Sequence, residues 1–298
     1  FTQFFGAFND NIFKQALILV LTYSAAAKLE TEVSLLNNLA ALLFILPYFL
    51  FSALAGQIAD KYEKSTLTGH IKLLEIIIMA VAAVGFIYEI YSLLFFCLFM
   101  MGTQSTFFGP IKYAYLPETM RHDELVAANG LFQTSTSLAI LAGMMTAGIL
   151  TQLYFSEYWL ATVTIVVAIL GYLSARQSPK TKVHAPDLSI NWNIAGTSFE
   201  LLKYLYHLPL LFFITLGNSW FWFYGATFLT LTPEVTKVLL HADESVVIFL
   251  LSLFSVGIAI GSLLCKTLTK NQVSFRLLPY GLLGLSVFAM ALYFSLNQ

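Results

Sequence analysis

Gly56-Gln-Ile-Ala-Asp60-Lys61-Tyr-Glu63-Lys64 separates two apolar runs, Leu35 to Ala55 and Leu73 to Ile87, each long enough to cross a bilayer or nearly so. Asp60, Lys61 and Lys64 supply charge that holds such a connection in water, and Gly56 lacks the side chain that would keep two closely turning helices apart. Around this stretch the chain is 58% hydrophobic and 10% charged, with a mean hydropathy of +0.79. A soluble domain carries roughly a quarter charged residues, so the chain reads as an integral membrane protein. Its apolar runs are continuous instead of alternating with a period of two, which selects helices over a β-barrel. The expected fold class is an all-α polytopic membrane protein.

Nine spans are predicted, over about 1–24, 36–57, 70–88, 91–115, 124–150, 157–175, 208–232, 245–268 and 275–296. If the Gly56 loop is cytoplasmic, that side holds twelve cations: Lys61, Lys64, Lys72, Lys112, Arg121, Arg176, Lys180, Lys182, Lys203, Lys266, Lys270 and Arg276. The opposite side holds two, Lys28 and Lys237, so span 1 is expected to start in the cytoplasm. The one long connection, 176–207, carries Pro179 and Pro186 and then an amphipathic piece from Trp192 to Tyr206. Six spans, a linker and further spans form the layout of a two-half transporter. The expected units are therefore 1–175, the linker 176–207, and 208–298. Gly257-Ile-Ala-Ile-Gly261-Ser-Leu-Leu-Cys265-Lys266 is a degenerate echo of the Gly56 loop that lacks its Asp. The chain opens on Phe1 inside an apolar run and closes at Gln298 just after another, so it is expected to be incomplete, with three spans of the second half missing.

Polar residues inside the spans are the candidate site. Span 1 reads Phe8-Asn9-Asp10-Asn11-Ile12-Phe13-Lys14, and an ionisable side chain at a helix centre costs roughly 2.5–3.5 kcal/mol on insertion. Asp10 and Lys14 are four positions apart, so they either neutralise each other on one helix face or leave Asp10 facing a cavity. Span 4 ends in Gly109-Pro110-Ile-Lys112, where the Gly-Pro pair is expected to break or kink the helix. Lys112 is either a snorkelling interfacial cation or one placed for a phosphate. In span 5, Asn129, Gln133, Thr136 and Ser137 share a face that lines a cavity or bonds a neighbouring helix, while Gly143 and Gly148 allow close packing. Trp220-Phe-Trp222-Phe in span 7 serves simple packing or lines an acyl chain. His70 and Glu75 are read as charges at a span end near Lys72. No Walker loop, Gly-x-Ser-x-Gly elbow or metal-ligand cluster is present, Cys97 and Cys265 have no disulfide or metal spacing, and neither a cofactor nor catalysis is expected. The net charge of −1 gives no sign of a nucleic-acid partner.

The Gly56 stretch resembles the loop between helices 2 and 3 of the major facilitator superfamily, Gly-x-x-x-Asp-Arg/Lys-x-Gly-Arg/Lys-Arg/Lys. Gly56, Asp60, Lys61 and Lys64 fit it, and Glu63 stands where the pattern has glycine. Gly6 to Lys14, Ser52 to Lys64, Gln104 to Tyr113, Asp123 to Gly130 and Trp220 to Gly225, in that order, resemble the lysophospholipid transporter branch of that superfamily. The similarity is greatest to forms fused to, or encoded beside, a 2-acylglycerophosphoethanolamine acyltransferase and an acyl carrier protein synthetase.

That resemblance implies two six-helix halves, the second truncated here, and inward flipping of lysophosphatidylethanolamine across a bacterial inner membrane for re-acylation. It implies that the partners are lysophospholipid, membrane lipid, and the acyltransferase or synthetase in cis or in trans. Asp10 matches the family's acidic residue of helix 1 and Lys112 its basic residue of helix 4, implying ammonium and phosphate contacts respectively. Asn9, Lys14, Asn129, Gln133 and Trp222 are the further substrate-side candidates; Gly56, Asp60, Lys61 and Lys64 are the gating candidates. Span 7 has no arginine where stand-alone transporters carry a basic residue, which fits the fused form better. Two rival expectations are a proton-coupled exporter of drugs or other solutes, and the membrane domain of a fused acyltransferase.

Overall fold

The computed structural model describes residues 1–21, 32–236, 240–241, 244–270 and 275–296, and the described residues are helical with no strand. Ten helices follow in order: α1 (Thr2–Val20), α2 (Val33–Lys61), α3 (Lys64–Ile87), α4 (Tyr91–Thr119), α5 (Leu125–Thr151), α6 (Ser156–Ala175), α7 (Ile194–Tyr206), α8 (Pro209–Glu234), α9 (Glu244–Leu268) and α10 (Leu278–Leu296), with a 3-10 turn at Phe275–Leu277 before the last. Each predicted span has its helix. Six of them pass as membrane-crossing by length and apolarity among the described residues. Helix α1 is not among those six; it carries Asn9, Asp10, Asn11 and Lys14 in its 19 residues. Lys28 and Lys237, the cations expected on the outer side, lie outside the described residues.

The chain forms two compact units. The first comprises Phe1–Thr119 and Leu138–His207, the second Met120–Ser137 and Leu208–Gln298, so α5 contributes to both. In the first unit α2 packs on α4, α3 on both α4 and α6, and α1 chiefly on α6. Apolar side chains in lipid gain little from burial, so close backbone approach has to supply the packing. Glycines provide it: a Cβ on Gly102 of α4 would overlap the Phe44 carbonyl of α2, and one on Gly143 would lie 2.7 Å from the Phe8 carbonyl of α1. Gly148, expected to act likewise, has nothing within 4 Å. Phe13 of α1 meets Phe86 of α3 edge to face at 5.7 Å in the centre of this core.

In the second unit, Thr134 Oγ1 donates to the Ala259 carbonyl at 3.3 Å and Phe228 stacks on Phe254 at 5.4 Å. Of the break or kink expected at Gly109-Pro110, no break occurs. Helix α4 runs on through Pro110 and Pro117, as membrane helices do where neighbouring groups re-satisfy the freed carbonyls. The echo from Gly257 to Lys266 lies within α9 and forms no loop.

The linker is strapped across the ends of α2, α3 and α4. Glu63 caps α3, accepting from Ser65 N at 2.9 Å and Thr66 N at 2.7 Å. The same carboxylate takes Thr181 N at 2.8 Å. Ser65 Oγ donates to the Ser178 carbonyl, Tyr115 to that of Pro179, Ala185 N to that of Asp60, and Asn191 N to Gln57 Oε1. Beyond the strap, Asn193 Oδ1 caps α7 through Gly196 N at 3.0 Å; the piece from Trp192 to Tyr206 is helical from Ile194 onward and has no buried residue in that helix.

Burial works against ionising Glu63, and the bonds from Thr181, Thr66 and Ser65 outweigh it, holding the carboxyl down at about 2 against an ordinary 4.5. The strap's contribution is therefore complete above pH 4.5 and is lost as pH falls towards 2. Thermal melts in detergent should show Glu63→Gln below the parent at pH 7, with the gap closing as the pH drops below 4.5. Gly102→Val should melt lower still, because overpacking a closed contact costs roughly 1–3 kcal/mol or more.

Candidate functional site

Glu75 sits on α3 about three turns in from the helix start and, at 1% exposure, is sealed among α1, α3 and α4. A carboxylate so buried has to be met by donors from every side. Lys72 Nζ, one turn earlier on the same helix and also 1% exposed, reaches Glu75 Oε2 at 2.6 Å. Gln104 Nε2 of α4 reaches the same oxygen at 2.9 Å, and Asn9 Nδ2 of α1 reaches Oε1 at 2.8 Å. Lys72 also lies 4.9 Å above the Phe108 ring, and α1 clears it only because residue 6 is glycine: a Cβ there would overlap the ammonium. Glu75 and Lys72 are thus interior groups and not span-end charges, whereas His70 is exposed. Their three-residue spacing inside an apolar run was the signal that could have revealed the pair.

Asp10 lies next to this hub. Its Oδ2 accepts from Ser105 Oγ of α4 at 2.8 Å, and its Oδ1 is buried with no hydrogen-bond partner among the described residues. Asn9 Oδ1 is likewise buried and unpartnered. Asp10 and Lys14 form no direct salt bridge: the carboxylate bonds to α4 and Lys14 Nζ lies 5.4 Å above the Phe44 ring, although the two charges remain within electrostatic range of each other. Lys112, half-buried on α4, has its ammonium 5.0 Å above the Tyr113 ring and within electrostatic range of Asp10. Asn9, Asp10, Lys14 and Lys112 therefore belong to one unit.

Asn129, Gln133 and Trp222 belong to the other. Asn129 Nδ2 bonds the Leu125 carbonyl of its own helix at 2.9 Å and bridges to no neighbouring helix among the described residues. Trp220, Trp222 and Phe223 are more than half exposed, so the aromatic run of α8 is not packed inside its unit.

The gating candidates divide. Gly56 lies inside α2, five residues before its end, and nothing approaches a Cβ there within 4 Å. The chain turns instead at Tyr62 and Glu63, both extended. Gly56 is thus not required by the turn. Asp60 is exposed, and Lys61 Nζ lies 5.9 Å from the Tyr62 ring. Lys64 is buried at 1% exposure, its ammonium 2.7 Å from Glu118 Oε1. That oxygen also meets His184 Nε2 of the strap at 2.9 Å.

The family model described as the Major Facilitator Superfamily matches residues 1–298. Among curated proteins, the lysophospholipid transporter LplT of Cronobacter sakazakii is 28% identical over 307 residues, covering 99% of this chain and 71% of its own length. The proteins of the same name from Escherichia coli O1:K1 and Photorhabdus laumondii are each 28% identical over 304 residues, with the same coverage. A match that runs the whole length of the chain, on a bundle of helices built to cross a bilayer, identifies it as a multi-pass membrane protein of the Major Facilitator Superfamily.

Proposed function

We propose that the chain is a lysophospholipid transporter that moves lysophosphatidylethanolamine-type lipids inward across a bacterial inner membrane by alternating access. The observation that carries this reading is the buried Oδ1 of Asp10, which has no hydrogen-bond partner among the described residues. A carboxylate oxygen without a donor in an apolar interior is costly, and a positively charged group relieves it. Lys112, the cation of α4 within electrostatic range, suits the phosphate of the same zwitterionic headgroup. Asn9 and Lys14 flank Asp10 on α1 and shape the field it presents. The relatives named lysophospholipid transporter support the substrate class.

The lipid delivered inward would pass to a re-acylating acyltransferase or acyl carrier protein synthetase, in cis or in trans. The cation-rich side, including Lys61, Lys64, Arg176, Lys180 and Lys182, would face the cytoplasm, with α1 starting there. No step of this reading makes or breaks a covalent bond.

Labelled lysophosphatidylethanolamine uptake by membrane vesicles carrying the protein tests it. Asp10→Asn and Lys112→Ala should each cut uptake by about tenfold or more, the factor of one hydrogen bond to a charged group, while remaining folded. Uptake no greater than in empty vesicles would reject the substrate. A proton-coupled solute exporter would instead be indifferent to lysolipid and lose solute flux with Asp10→Asn.

A further inference from the structure

Ser105 has one hydroxyl proton and two acceptors. Its Oγ lies 2.8 Å from Asp10 Oδ2 on α1 and 3.1 Å from Gln104 Oε1 on its own helix. A hydroxyl donates a single bond, so only one of these is made at a time. The Gln104 oxygen is held in place. Its amide Nε2 donates to Glu75 Oε2 at 2.9 Å, and a carboxylate offers nothing that would let the amide turn over. Lys72 and Asn9 fix Glu75 in turn. The Tyr48 hydroxyl also interacts with Ser105 and feels the Asp10 charge. Tyr48 can donate to a lone pair of Ser105 Oγ without using the Ser105 proton, so the proton that chooses between Asp10 and Gln104 is that of Ser105.

Which acceptor takes that proton depends on charge at Asp10. A bond to an uncompensated carboxylate is shorter and roughly twice as strong as one to a neutral amide, so the proton then belongs to Asp10. A cation seated on Asp10 removes that advantage, and the Gln104 oxygen, polarised by its own donation to Glu75, becomes the competing acceptor. The exchange has a mechanical meaning. The bond to Asp10 ties α1 to α4, whereas the bond to Gln104 stays within α4. Helix α1 packs mainly on α6 and only lightly on α4, so the Ser105 bond is a substantial part of the tie.

We infer that Ser105 is a positioning residue whose proton alternates between Asp10 and Gln104, so that a cationic headgroup arriving at Asp10 releases the direct Asp10–Ser105 bond between α1 and α4 while Glu75 still holds Asn9 and Gln104. This rests on the reading of Asp10 as the headgroup's ammonium acceptor. Loading of the site is thereby coupled to a loosening of the first helix against α4, the kind of differential contact by which occupancy shifts a conformational equilibrium.

The test is a double-mutant cycle on lysophosphatidylethanolamine uptake, with the full chain in proteoliposomes. Ser105→Ala should lower turnover by about tenfold and lower KM as well, because the ammonium no longer competes with a hydroxyl for Asp10. Ser105→Thr, which keeps the hydroxyl, should restore both. Gln104→Leu should lower turnover, and the double variant should be no worse than the poorer single, because the two residues act through one bond. Effects that multiply in the double variant would overturn the switch, as would a Ser105→Ala whose KM and turnover both match the parent. If Gln104→Leu does not fold, the KM and turnover of Ser105→Ala and their recovery in Ser105→Thr decide the matter alone. Asp10→Asn separates the two readings. Full uptake in that variant rejects Asp10 as the headgroup site and the switch with it, while lost uptake beside multiplying Ser105 and Gln104 effects rejects only the switch.

Discussion

An ion pair sealed from solvent governs the first unit: Lys72 and Glu75, 2.6 Å apart and each 1% exposed. Separating them would leave a bare charge in a medium of low dielectric, so the two must stay together and the helices around them must supply the remaining bonds. Asn9 and Gln104 supply them from α1 and α4, which fixes the rotation of those helices about their axes. Gly6 gives the room that Lys72 requires. Asp10 then follows Asn9 by one residue and meets Ser105, the residue after Gln104. The position of the proposed headgroup carboxylate is thus a consequence of the hub, transmitted through two adjacent pairs of residues.

A second constraint acts at the ends of α2, α3 and α4. Glu63, where the family pattern has glycine, looked like a lapse in a signature; it is the residue that joins the α3 cap to the linker strap through Thr181. The neighbouring Lys64 is drawn inside to Glu118, which the strap also touches through His184. The loop therefore works as part of a packed corner. Its charges grade from the exposed Asp60 through the half-buried Lys61 to the buried Lys64.

What the sequence made legible follows from the bilayer. Its thickness imposes a length on every apolar run, so the spans, and the amphipathic segment that became α7, were visible without any knowledge of packing. Asn9 and Asp10 stood out for the same reason, as polar residues where lipid would not tolerate them. Tertiary partners were not visible: Ser105 lies 95 residues from Asp10, and nothing in the local pattern of either names the other. Lys72 and Glu75 read as span-end charges because the apolar run begins near them, whereas they fall two to three turns into a helix that begins at Lys64. The turn assigned to Gly56 belongs six residues further on, where backbone angles and not side-chain size decide the direction of the chain. Pro110 signals a break or a kink equally, and the choice rests on neighbouring groups that the local sequence does not name; α4 carries it without a break.

The central claim is that the Lys72–Glu75 pair is the fixed point of the first unit, and detergent thermal melts of three variants test it. Lys72→Met and Glu75→Gln should each lower the melting temperature sharply, since removing one member of a buried pair costs roughly 3–5 kcal/mol. The double variant Lys72→Met/Glu75→Gln keeps an acceptor for Asn9 or Gln104 and leaves no bare charge, so it should melt nearer the parent than either single. A double variant that loses the sum of the two single losses would contradict the account.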